Sequence, residues 1–141
     1  MLVRLMYCSR AAQGVDFEEL AVILRQSRID NAACGITGML CFSEGLFIQV
    51  LEGGRAAVNA LYKRVVADTR HVDVTLLVYE EISERRFASW TMGQVNMSRI
   101  NTAMLLKYSE LPTLDPYAIS GRVTLALFEE LLNTASVVGD R

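Results

Sequence analysis

The residue in this sequence that most demands a chemical explanation is Gln49, in the run GLFIQVLEG from Gly45 to Gly53. Read with a period of two, Phe47, Gln49 and Leu51 share one face of a strand, and Ile48, Val50 and Glu52 share the other. Glu52 is expected at the strand end, within reach of water. Gln49 has apolar neighbours on every side. A buried amide without partners costs roughly 1–3 kcal/mol. Either another side chain or a bound ligand is therefore expected to satisfy it.

Other polar residues stand at related places. Tyr7 closes the first apolar run, and Asn31 follows the first helical pattern. Arg64 and Asp68 are spaced i, i+4 near the end of the second helical pattern and so share a face. Trp90 and Met92 fall on one face of a late strand pattern. Singly, each has a structural account. A buried tyrosine fills space, an asparagine after a helix caps it, an Arg–Asp pair at that spacing decorates a surface, and a tryptophan is core. Gln49 alone resists such a reading.

Composition narrows the chemistry. The cysteines Cys8, Cys34 and Cys41 are odd in number and form no C-x-x-C. With the single histidine, His71, they match no familiar metal site, so reduced thiols and no metal are expected. Net charge is −2 and the basic residues are scattered, which leaves nucleic-acid binding without support. No window approaches the ~18 uninterrupted apolar residues of a membrane span, and MLVRLMY is too short and too soon charged for a signal peptide. A soluble cytoplasmic protein, bound to neither nucleic acid nor membrane, is the expectation. The 141 residues suit one domain, and a 52% hydrophobic content supplies its core.

The elements that must position these residues read off in order. Leu2 to Tyr7 alternates as a strand, followed by a loop with Ser9 and Gly14. Asp16 with Glu19 three positions on makes a capping box. The helix it opens carries the stripe Phe17, Leu20, Ala21, Ile23 and Leu24 and is expected to end near Arg28 or Ile29. GITGMLCF and LFIQVLEG read as two strands joined by a tight turn, with Gly45 available for a positive φ. A second helix runs from about Arg55 to Ala67, with Val58, Leu61, Tyr62 and Val65 as its buried stripe. VDVTLLVYEEI and SWTMGQVNM complete five strands.

The order β-α-β-β-α-β-β predicts an α+β, ferredoxin-like sheet with both helices on one face and the first and third strands in the middle. Tyr7 and Gln49 then become neighbours facing the helix layer. From about Asn101 a helical appendage is expected on or beside the other face. It has a short helix through Leu105 and Leu106, and a longer one from about Arg122 to Thr134. The surplus apolar positions of that last helix are either more core or an interface.

Five segments now combine: RLMYCSR, DNAACGITGMLCF, FIQVLEG, LYKRVVADTRH and RRFASWTM. In this order and at these separations they resemble the BLUF family of blue-light sensors using FAD, over Met1 to about Met97. The resemblance implies a flavin-binding domain at 1–97 and a C-terminal helical extension at 98–141 within the same compact unit. The isoalloxazine ring is expected between the two helices, with Gln49 bonding both the ring and the Tyr7 hydroxyl. Asn31 would hold the pyrimidine edge, and Arg64, with Asp68 beside it, the opposite carbonyl. Ile23, Phe47 and Val65 would pack on the ring, while Met92 and Trp90 report the rearrangement of Gln49. Asp30 departs from the Asn or His common at that position. A carboxylate there is expected to point to solvent or to Arg28.

The implied activity is sensing, not catalysis. Tyr7 would pass an electron and then a proton with Gln49 as relay, leaving a changed hydrogen-bond arrangement and a small reversible red shift. The reader of the switch is expected to be a separate effector protein or another copy of the chain. Two rivals remain: a ferredoxin-like enzyme such as an acylphosphatase, using Arg10 and Gly14 of YCSRAAQGVD, and an interaction module without functional flavin. The first lacks a run of glycines for an anion cradle. The intact Tyr7, Asn31 and Gln49 set argues against the second.

Overall fold

The computed structural model describes residues 1–96, 100–134 and 137–138. Six strands form one sheet in the order β4-β1-β3-β2-β5-β6. In chain order the elements are β1 (Leu2–Ala11), α1 (Phe17–Cys34), β2 (Thr37–Ser43), β3 (Leu46–Gly54), α2 (Arg55–Ala67) and β4 (His71–Ile82). They continue with β5 (Gly93–Val95), α3 (Thr102–Tyr108), α4 (Gly121–Leu131) and β6 (Val137–Val138). The strands β4-β1-β3-β2 are antiparallel neighbours, β1 and β3 are central, and β5 runs parallel to β2.

The period-two reading holds along β1, β2 and β3. Val3, Leu5, Tyr7, Leu40, Phe47 and Leu51 lie in a front core with residues of α1 and α2. Met6, Cys8, Met39, Cys41, Ile48 and Val50 lie in a rear core with Leu105 of α3 and Leu127, Phe128 and Leu131 of α4. The apolar surplus of α4 is thus core: Leu125 and Leu132 also pack against this cluster.

Local signals act as expected at several ends. The Asp16 carboxylate accepts the Glu19 amide at 2.9 Å, capping α1. The β2–β3 hairpin turns through Glu44 and Gly45 alone, at φ 51° and 76°, a two-residue turn whose twist suits paired strands.

Four expectations are corrected. β1 does not stop at Tyr7 but pairs through Arg10 with Leu46 and through Ala11 with His71, so Ser9 is a strand residue. α1 runs on to Cys34, where Gly35 at φ 70° closes it; Asn31 is inside its last turn rather than after its end. The fifth strand is only Gly93–Val95, because the backbone around Trp90 to Met92 bonds elsewhere, and Met97 lies outside the described residues. Glu52 is fully buried rather than wet. Its partner Arg4 is 48 positions away in sequence.

Candidate functional site

β1 and β3 pair so that Tyr7 stands directly opposite Gln49. Both side chains point forward, and the Tyr7 hydroxyl donates to Gln49 Oε1 at 2.5 Å. The pairing of β1 with β4 shifts register between Met6 and Tyr7 and again between Cys8 and Arg10. Such bulges re-aim side chains. Burial, aided by the negative charge of Asp68 and by Tyr62, pushes the Tyr7 phenol well above its ordinary range. It stays protonated and, with Oε1 as its partner, it donates this bond. Gln49 Oε1 is thereby committed to Tyr7, and Nε2 points the other way.

There it donates to the Met92 sulfur at 3.2 Å. A thioether is a weak acceptor. The amide is almost fully buried, yet among the described residues its donor end bonds only a sulfur, while its side chain also borders a cleft.

That cleft, about 320 Å³, lies between α1 and α2 over β1 and β3. It falls in the usual size range of small-molecule sites, about 300–1,000 Å³. Its floor is Tyr7, Leu40, Phe47 and Gln49. Its walls are Val22 and Ile23 of α1 and Leu61 and Val65 of α2, and its polar rim includes Asp30, Arg64, Asp68, Arg70 and His71. Apolar walls around a floor with one phenol and one carboxamide suit a flat heteroaromatic ring with a polar edge. Two arginines at the rim suit carbonyl or phosphate oxygens.

Seven of the expected residues meet at this cleft: Tyr7, Ile23, Phe47, Gln49, Arg64, Val65 and Asp68. Three do not line it. Asn31 is buried one side away, its amide donating to the Thr91 carbonyl at 3.2 Å. Met92 reaches the site through Gln49. Trp90 is buried, and its carbonyl accepts the Gly38 amide at 3.0 Å. Asp30 is at the rim, bonded by Gln26 Nε2 at 3.0 Å rather than by Arg28, whose Nε donates to the Met92 carbonyl at 3.3 Å.

The Arg64–Asp68 pair does not form. Asp68 leaves the helix with φ −79° and ψ 120°, and its carboxylate takes the Arg70 guanidinium instead, at 2.6 to 3.0 Å. Those bonds hold the Asp68 carboxyl below its usual range.

Arg70 and His71 escaped the sequence reading. His71 Nδ1 shares a hydrogen with Ser9 Oγ at 2.6 Å, and its ring lies 4.7 Å from that of Phe47. Burial lowers its pKa, with Arg70 acting the same way and Asp68 opposing. The signal was in ADTRH: once the helix stops at residue 67 the chain turns through Thr69 and Arg70, the His71 amide donates to the Asp68 carbonyl at 3.1 Å, and the Asp68 carboxylate accepts the Arg70 amide at 2.9 Å.

Fold and cleft together define an α+β ligand-binding domain with a phenol–carboxamide pair at the bottom of its pocket. The family of sensors of blue-light using FAD (BLUF) matches residues 2–93, and the chain belongs to that family. Members of the family bind FAD and sense blue light.

The chain is 40% identical over 102 residues to the photoactivated adenylate cyclase subunit beta of Euglena gracilis. This covers 72% of the chain but only 12% of that relative. Among solved structures it is similar to the photo-activated state of BlsA, with TM-score 0.86 and 28% identity over 99% of this chain and 100% of that one. It is also similar to the dark state of the BLUF protein BlrB, with TM-score 0.74 and 31% identity over 93% and 94% of the two chains. No described helix is long and apolar enough to cross a membrane.

Proposed function

We propose that the cleft between α1 and α2 holds the FAD isoalloxazine ring and that Tyr7 and Gln49 form the light-driven switch. One observation carries this reading. A buried carboxamide has its acceptor end fixed by a phenol and its donor end left with only a sulfur, beside a ligand-sized cleft. Ile23, Phe47 and Val65 would pack on the ring, and Arg64, Arg70 and Asp68 would order its polar rim. Asn31 would join them by turning from the Thr91 carbonyl.

Excited FAD supplies a one-electron oxidant. Tyr7 is the electron donor in contact with Gln49, and an oxidised phenol sheds its proton readily. The atom placed to take that proton is Gln49 Oε1. When the electron and the proton have both returned to Tyr7 with the amide turned end for end, Gln49 would offer Nε2 toward the Tyr7 oxygen, which then accepts, and Oε1 toward Met92. The sulfur then faces an acceptor instead of a donor, and the Met92 segment is biased away from it. A switch of one or two hydrogen bonds, on the order of 1–3 kcal/mol, biases a two-state element about 5–150-fold.

The output passes to the rear helices α3 and α4, and a separate effector protein or a second copy of the chain reads it. The chain itself is a sensor rather than an enzyme. That Cys8, Cys34 and Cys41 form no disulfide supports a reducing compartment, and we assign the chain to the cytoplasm.

The test starts from colour. The purified chain should be yellow, and blue light should red-shift its flavin band reversibly in darkness. A colourless preparation unresponsive to added FAD favours an interaction module. Tyr7→Phe should keep the flavin and lose the shift; a surviving shift removes Tyr7 as donor. Gln49→Leu should likewise bind flavin and fail to respond.

A further inference from the structure

Between β4 and β5 the chain runs without regular structure from residue 83 to 92, and it crosses from the rear of the sheet to the front. Phe87 is fully buried in the rear core with Leu127 and Phe128. Met92 is fully buried in the front core and meets Gln49. Only four residues, Ala88 to Thr91, therefore join the two cores.

The rear end of this segment is held by one carboxylate. Glu52 Oε1 accepts the backbone amides of Arg86 at 3.0 Å and Phe87 at 2.6 Å. Glu52 Oε2 takes the Arg4 guanidinium at 2.7 and 2.8 Å. Arg4 is itself buried and also pairs with Glu80 at 2.6 Å. Bonds to a charged acceptor are shorter and roughly twice as strong as neutral ones. A guanidinium that fixes one oxygen also fixes where the other aims.

Glu52 and Gln49 belong to the same strand, three residues apart and on opposite faces. They grip one segment at its two ends, Glu52 from behind at 86–87 and Gln49 from in front at Met92. The bond to sulfur is weak, and the front end is also held through its backbone: the carbonyls of Trp90, Thr91 and Met92 accept from the Gly38 amide, Asn31 Nδ2 and Arg28 Nε at 3.0, 3.2 and 3.3 Å. The Met92 side chain is therefore placed jointly, by these bonds at its own end and by the charged rear grip that starts the segment.

We propose that Glu52 is a positioning residue of the switch: its buried carboxylate, held by Arg4, sets the start of the 87–92 segment and so helps place the Met92 sulfur against Gln49. The light-dependent arm of the test rests on the sensor reading; the other arms do not.

The full chain loaded with FAD serves for the test. Glu52→Gln keeps the side-chain shape and one acceptor, and leaves Arg4 its Glu80 partner. It should take up FAD as the parent does, while its dark-recovery rate changes about fivefold or more. The emission of Trp90, the chain's only tryptophan, should move to longer wavelength in darkness. Glu81→Gln, which loses only an exposed pair with Arg55, should change neither. Parent-like recovery and emission in Glu52→Gln overturn the proposal.

Should Glu52→Gln fail to fold, Arg4→Met with Glu52→Gln removes the pair as a unit, and the same two readouts apply. In the parent chain the amides of Arg86 and Phe87 should exchange with solvent as slowly as those of β3; loop-like exchange overturns the hold outright. If the parent shows no light shift, the sensor reading fails, and emission and exchange still decide the positioning role.

Discussion

On the rear of the sheet Met6, Cys8, Ile48 and Val50 meet Leu127, Phe128 and Leu131 directly. On the front, Tyr7, Phe47 and Gln49 face α1 and α2 across a cleft of about 320 Å³. The same strands supply both inventories, one residue out of step. The rear inventory is almost wholly aliphatic and aromatic, and it closes on itself. The front inventory places a phenol and a carboxamide at its centre, and their polar atoms need a partner of another kind. The closed packing lies behind the sheet, and the proposed binding lies in front of it.

Truncations should break or sharpen this contrast. Phe128→Ala empties a fully buried rear position and should lower the unfolding free energy by about 3–5 kcal/mol in urea titration. Val65→Ala, at the half-buried cleft wall, should stay within ~1.5 kcal/mol and instead loosen flavin retention on dialysis. Equal losses of stability would abolish the distinction.

A smaller effect is expected at Gly121, where α4 begins. A Cβ there would come within 2.1 Å of the Leu77 carbonyl, so Gly121→Ala should push α4 off β4 at about 1–3 kcal/mol. The check is the same titration. An unchanged midpoint would mean that α4 is not held at that point.

The front face should be the pH-sensitive one. His71 is half-buried with its pKa lowered, chiefly by loss of solvent, so the unfolded chain binds its proton more tightly. The stability it supports is complete above the unfolded histidine value of about 6.5 and falls as pH drops through it. Urea midpoints should decline between pH ~7.5 and ~5.5, and His71→Gln should flatten that slope. The smallest effect belongs to Arg86→Ala. Its side chain makes only an exposed pair with Glu129 at 3.5 Å, so a change within ~0.5 kcal/mol is expected. Its backbone amide, not its guanidinium, meets Glu52.

What the sequence made legible was whatever repeats locally. Alternation placed Tyr7 opposite Gln49 and sorted each strand into front and rear. The capping box at Asp16 and Glu19 and the turn at Gly45 are short-range devices and were readable as such. The misreadings share another cause. α1 continues past Arg28 because its stop signal is Gly35, and the polar residues Asp30 and Asn31 are tolerated inside it. SWTMGQVNM has strand character, but Gly38, Asn31 and Arg28 take the carbonyls of Trp90, Thr91 and Met92, and only Gly93–Val95 pairs as a strand. Arg64 and Asp68 obey helical spacing only while the helix lasts, and it ends at Ala67. Glu52 is buried because Arg4 comes to it from another strand, which no local pattern records.

The hairpin turn at Glu44 and Gly45 holds exactly two residues, and that number carries a consequence for inheritance as well as for shape. Unless a three-residue loop absorbs it, one added residue would throw either β2 or β3 out of parity, exchanging what the chain shows to a dye for what it hides among its own hydrocarbons. A duplicated codon at this surface bend, one pair beyond the facing rings of Phe42 and Phe47, is thus a route to blinding the protein.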